Sequence, residues 1–124
     1  MPDCVLIDTS SLLFGIEKGM NLFEIIRFDM PGTQVVVPRP VLRELEGMQT
    51  ERGKRGMHAR IALELIEKNS KTVAESNENA DDAILAISSE MGCAVVTNDS
   101  ELRKRLRAKN VRVFTLAMDK KLRA

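Results

Sequence analysis

The apolar run Cys4-Val5-Leu6-Ile7 stops on an acid, Asp8, followed by two hydroxyls, Thr9 and Ser10. The pattern returns late in the chain, where Ala94-Val95-Val96 gives way to Thr97, Asn98 and Asp99. A continuous apolar run of this length reads as a strand buried on both faces, as in a parallel sheet. An ionised carboxylate directly after such a strand needs solvent, a partner or a cation. If the two strands lie side by side, their acids meet.

The rest of the chain alternates strand and helix signals. Strand 1 is expected over Cys4 to Asp8, and Ser10 to Ile16 can turn as a short helix. Asn21 can cap a helix carrying Leu22, Phe23, Ile25, Ile26 and Phe28, ended by Pro31-Gly32. Gln34 to Pro38 reads as strand 2. Pro40 opens a helix with Val41, Leu42, Leu45 and Met48 at helical spacing. Gln49 to Gly56 reads as a polar, mainly basic loop, with a longer helix from Met57 to about Lys68. Lys71 to Glu75 is a weak edge strand. Asp81 starts a helix carrying Ile84, Leu85, Ile87 and Met91, which Gly92 stops. Cys93 to Thr97 is strand 4, Ser100 to Lys109 a basic helix, and Val111 to Leu116 strand 5, before a short basic tail from Asp119 to Ala124.

This alternation predicts an α/β fold, a three-layer α/β/α sandwich with a central, mostly parallel five-stranded sheet. Placing the two most apolar strands centrally gives the order 3-2-1-4-5. The winding direction then switches between strands 1 and 4, and ligands bind beyond the strand ends at such a switch. A chain of 124 residues is expected to form one domain, residues 1–124.

Two further acidic positions can reach that edge. Glu44 lies about one turn into the helix after strand 2, and Asp81-Asp82 opens the helix before strand 4. Singly, each acid has a plainer reading as a helix cap, a dipole partner or a solvated side chain. Together they would repel and raise one another's pKa unless a cation joins them. An oxygen-only set suits hard ions, Mg2+ or Mn2+, which activate water and neutralise phosphoryl charge.

These residues resemble those of PIN-domain nucleases over essentially the whole chain. The matching pieces are Ile7-Asp8-Thr9-Ser10, Val41-Leu42-Arg43-Glu44-Leu45, Ala80-Asp81-Asp82-Ala83-Ile84-Leu85 and Thr97-Asn98-Asp99-Ser100-Glu101-Leu102. Their form is most similar to the archaeal and eukaryotic branch that includes ribosomal-RNA-processing nucleases, with VapC-type toxins as near relatives. The resemblance implies a Mg2+- or Mn2+-dependent endoribonuclease in which Asp8, Glu44, Asp99 and one or both of Asp81 and Asp82 hold metal and attacking water. Toxin-like spacing to the Thr97-Asn98-Asp99 motif favours Asp81, and a one-residue shift would favour Asp82. Many members carry Asn where this chain has Ser10, which alters a polar contact to Asp8. The implied partners are RNA, and either a ribosomal precursor or an antitoxin protein.

Other features are less specific. Thr9, Ser10 and Thr97 could orient the carboxylates or simply serve the turns. Arg52, Lys54 and Arg55 form the best local basic patch and could hold RNA phosphates, or could be a solvated loop. His58, the one histidine, reads as a surface residue rather than a catalytic base. Arg103, Lys104, Arg105, Arg107 and Lys109 read as a solvated helix face. Leu12, Leu13, Phe14 and Ile16 could supply a homodimer face. Net charge is +1, so bulk charge does not announce a nucleic-acid binder. Cys4 and Cys93 read as buried free thiols of a cytoplasmic protein, and no apolar run approaches membrane-spanning length.

Two rivals share parts of this pattern. A phospho-signalling receiver domain has the alternating fold and acids, but there an acid follows strand 3 and a Lys ends strand 5. Here Asp81-Asp82 precedes a helix and no Lys ends strand 5. The second rival is a catalytically silent RNA- or ribosome-binding module.

Overall fold

Val5, Leu6 and Ile7 are fully buried, and the sheet is built outward from them. They belong to β1 (Cys4–Ile7), flanked by β2 (Gln34–Pro38) and β4 (Ala94–Val96), both parallel to it. The computed structural model describes residues 2–69 and 72–124. β3 (Thr72–Ala74) extends the sheet beyond β2, and β5 (Val113–Leu116) extends it beyond β4. The expected start of the third strand at Lys71 lies outside the described residues.

Helices cover both sheet faces in three layers: α1 (Thr9–Glu17), α2 (Leu22–Asp29), α3 (Arg39–Met48), α4 (Lys54–Asn69), α5 (Ala80–Met91) and α6 (Ser100–Ala108). Their limits follow local chemistry. Asn21 caps α2, its Oδ1 accepting from the Phe23 and Glu24 amides. Asn79 caps α5, accepting from the Asp82 amide, and Gly92 ends that helix at φ +70°.

Among the described residues the expected order 3-2-1-4-5 holds and a sixth strand extends it, giving β3-β2-β1-β4-β5-β6. The tail returns as β6 (Leu122–Arg123), antiparallel to β5. Asp29 anchors it, with Oδ2 accepting from the Leu122 amide at 3.0 Å. Two residues among charges carry no apolar alternation, so the sequence pattern does not show this strand.

A second correction concerns the basic loop. α4 begins at Lys54, three residues before the expected Met57. Gly53 takes φ +82°, which ends the loop early, and the Met57 amide bonds back to its carbonyl. A Cβ on Gly56 would lie 1.8 Å from the Glu51 carbonyl oxygen, so this crossing of loop and helix requires glycine. Lys54 and Arg55 are thus helical, while Arg52 stays on the exposed turn.

The cysteines are joined, not free. The β1–β4 register pairs Val5 with Ala94, which puts Cys4 opposite Cys93. Their Cα atoms lie 4.8 Å apart and the sulfurs form a disulfide. The separation of 89 residues hid this pairing from the sequence, since only the register brings the two together.

Candidate active site

Each central strand ends in a carboxylate. Asp8 follows β1 and is 5% exposed, with its amide bonded to the Val96 carbonyl of β4. The Oδ2 atom accepts from the hydroxyls of Ser10 (2.8 Å) and Thr97 (2.7 Å). Thr97 is fully buried and also accepts from the Asp99 amide at 3.1 Å. Asp99 caps α6, its Oδ1 accepting from the Glu101 and Leu102 amides. Asp8 Oδ2 and Asp99 Oδ1 thus hold local structure at the two strand ends.

Glu44 sits on α3, where its Oε1 accepts from Thr9 of α1 at 2.7 Å. Asp81 opens α5. Its pKa is raised by burial first, then by the charges of Asp8 and Asp99, with Glu44 adding to the rise and Arg105 opposing it. The four acids come from four different parts of the chain, and the charges of the other three bear on Asp81. Asp82 is placed differently. Its Oδ1 accepts from Arg105 at 2.7 Å and its Oδ2 from Asn79 at 3.0 Å. Those bonds, Arg105 first, hold its carboxyl below the usual range. The structure thereby separates the paired aspartates: Asp81 joins the acid group and Asp82 is an ion-pair partner at its rim.

A cleft of about 290 Å³ opens here, lined by Glu44, Asn79, Ala80, Asp81, Asp82 and Arg105. Among the described residues, no three His, Cys, Asp or Glu side chains are drawn together tightly enough to ligate one ion. Asp8, Glu44 and Asp99 each accept from donors of their own surroundings. A larger cleft of about 430 Å³ lies between α1, α3 and α4, and shares none of these acids. Its lining includes Lys54, Arg55 and His58. Arg55 also pairs with Glu51 at 3.2 Å.

Three residues at the site escaped sequence reasoning. Ser11 is fully buried and donates to the carbonyl oxygens of Asp8 and Val96. The Asn98 side chain bonds both the amide and the carbonyl of Leu116, tying the end of β4 to the end of β5. Its place between Thr97 and Asp99 was the available signal. Arg105, one of several bases read as a solvated face, is at the rim of the acid cleft. Nothing in the spacing of those bases singles it out.

A family model described as a PIN-like domain matches residues 5–118. The chain belongs to the PIN-domain family. Ribonuclease VapC9 of Archaeoglobus fulgidus is 28% identical over 120 residues, covering 96% of this chain and 87% of that protein. Ribonuclease VapC4 of Methanocaldococcus jannaschii is 32% identical over 118 residues, covering 91% and 89%. Among solved structures, the PIN-domain endonuclease Utp24 superposes with a TM-score of 0.78 at 26% identity, covering 98% of this chain and 90% of Utp24. A PilT N-terminus domain protein of Sulfolobus solfataricus, at 10% identity and a TM-score of 0.55, shares the PIN fold alone.

Proposed function

We propose that this PIN domain is an endoribonuclease that hydrolyses RNA phosphodiester bonds with Mg2+ or Mn2+ bound at Asp8, Glu44, Asp81 and Asp99. The observation that carries this reading is the joining of acids at the strand ends: Thr97 links Asp8 to Asp99, Thr9 beside Asp8 holds Glu44, and the charges of all three raise the Asp81 pKa. Asp8, Asp99 and Glu44 disfavour ionised Asp81, Arg105 offsets them in part, and a divalent cation relieves the remainder. The donor set is oxygen only, which fits a hard ion. When bound, such an ion supplies an acidified water and neutralises charge on the phosphoryl group.

The chain's own residues provide the frame. Ser10 and Thr97 fix the Asp8 carboxylate through one oxygen, and Thr9 fixes Glu44. These hydroxyls hold ligand orientation, as outer partners do in metal sites. The α6 amides fix Asp99 in the same manner. Arg52, Lys54 and Arg55 lie on or beside the start of α4, where they can hold RNA phosphates without reading bases. Likeness to the two VapC ribonucleases favours a toxin-type enzyme with an antitoxin partner. The form of the acid motifs favours processing of a ribosomal precursor.

The test is manganese titration by calorimetry beside cleavage of a structured RNA, for wild type and Asp8→Asn. We expect binding and manganese-dependent cleavage in the wild type, with both lost in the variant. An Asp8→Asn protein that cuts normally overturns the assignment. Metal-independent RNA binding with no cleavage would leave a silent binding module.

A further inference from the structure

We propose that Arg105 and Lys109, at the end of α6, form a phosphate track along which single-stranded RNA reaches the acid cleft. Arg105 would hold the phosphate next to the one being cut. This inference rests on the nuclease reading above.

Two clefts meet at Arg105. One is the acid cleft, lined in part by Glu44 and Asp81. The other, of about 440 Å³, is lined by Asp82, Leu85, Ala86, Ser89, Arg105 and Lys109. They share Asp82 and Arg105, so the two form one continuous depression that passes from acidic to basic lining. Other bases of α6 are engaged elsewhere: Arg103 donates to Thr115 and Lys104 pairs with Glu101. Arg105 and Lys109 are four residues apart, about 6 Å of helical rise, the scale of one nucleotide step.

Arg105 is suited to exchange partners. Its side chain is 48% exposed, and its bond to Asp82 uses Nη2. A guanidinium carries five N–H donors, so it can bind a phosphate while leaving or keeping Asp82. An ion pair this exposed contributes little to stability, so a phosphate displaces it at small cost. Leu85, Ala86 and Ser89 offer an apolar floor with one hydroxyl and no aromatic ring. Such a floor suits ribose and backbone rather than stacked bases, so the track reads length and charge, not sequence.

The test is the salt dependence of binding to a fluorescein-labelled oligouridylate, measured by anisotropy with EDTA and again with Mn2+. Wild type, Arg105→Gln, Lys109→Gln, the double variant and Arg107→Gln are compared. Each phosphate contact on a single strand contributes about 0.7 to the slope of log K against log salt. We expect the double variant to lower that slope by about 1.4, and Arg107→Gln to leave it unchanged. An unchanged slope in the double variant, with a wild type that binds and cuts RNA, overturns the track and leaves the nuclease reading standing. Equal losses in Arg107→Gln also overturn it, as diffuse charge. A wild type that neither binds nor cuts RNA in either condition overturns both.

Discussion

The Thr97 hydroxyl donates to Asp8 Oδ2 at 2.7 Å, joining strand ends that lie 89 residues apart in sequence. The Thr97 hydroxyl oxygen in turn accepts from the Asp99 amide, so one buried side chain connects both strand-end aspartates. Thr97→Val removes these bonds and leaves buried polar groups unpaired. We expect a loss of about 1–3 kcal/mol in stability. We also expect Mn2+ affinity to fall roughly 10–100-fold, as for lost outer partners of metal ligands. Thr97→Ser should restore both. Thermal melts and calorimetry measure this, and wild-type Mn2+ affinity in the Val variant would refute it.

Asp81 makes metal-free stability depend on pH. Its folded pKa is raised by burial and by Asp8, Asp99 and Glu44, so the folded state holds this proton more tightly than the unfolded state does. The cost of ionised Asp81 is therefore fully present above the folded pKa. That cost shrinks as pH falls through the folded pKa and is gone below the unfolded value of about 3.9. In EDTA at pH 7, Asp81→Asn should melt above wild type, and the difference should narrow steadily on acidification. A variant that melts lower at pH 7 would contradict the raised Asp81 pKa.

Asp82 should behave unlike its neighbour. Its carboxylate is occupied by Arg105 and Asn79. Asp82→Asn is expected to keep Mn2+ binding near the wild-type level. Asp81→Asn should weaken binding by at least the roughly 10–100-fold that an outer partner costs. Parallel titrations of the two variants decide which aspartate belongs to the metal set, and the reverse ranking would exchange their roles.

The Cys4–Cys93 bridge closes a long loop, with a sequence separation of 89 residues. Cys4 stands at the start of β1 and Cys93 just before β4, whereas Asp8 and Asp99 follow the other ends of those strands. Reduction, or a Cys4→Ser and Cys93→Ser double variant, should lower stability by about 2–5 kcal/mol. Mn2+ affinity should be unaffected. Melting with and without dithiothreitol, followed by a titration of the reduced protein, tests both halves.

Much of the architecture was legible in the sequence. The order 3-2-1-4-5 followed from placing the two most apolar runs at the centre, since a parallel strand covered on both faces must be apolar throughout. The helix limits at Asn21 and Gly92 followed from local backbone chemistry that a few adjacent residues determine. Other features were not legible because they depend on long-range placement. β6 is two residues long and exists through its pairing to β5 and the Asp29 anchor. The disulfide exists because the register sets Cys4 opposite Cys93.

At the acid cleft the division has the same physical basis. The sequence by itself determined which acids end strands 1 and 4 and which acids open helices, because strand ends and caps are local events. Only the tertiary structure gives different surroundings to Asp81 and Asp82, which are adjacent in sequence and identical in chemistry. A step of one residue along a helix turns the side chain by about 100°. That turn sets Asp81 in the field of three acids and Asp82 against Arg105, a residue 23 positions away.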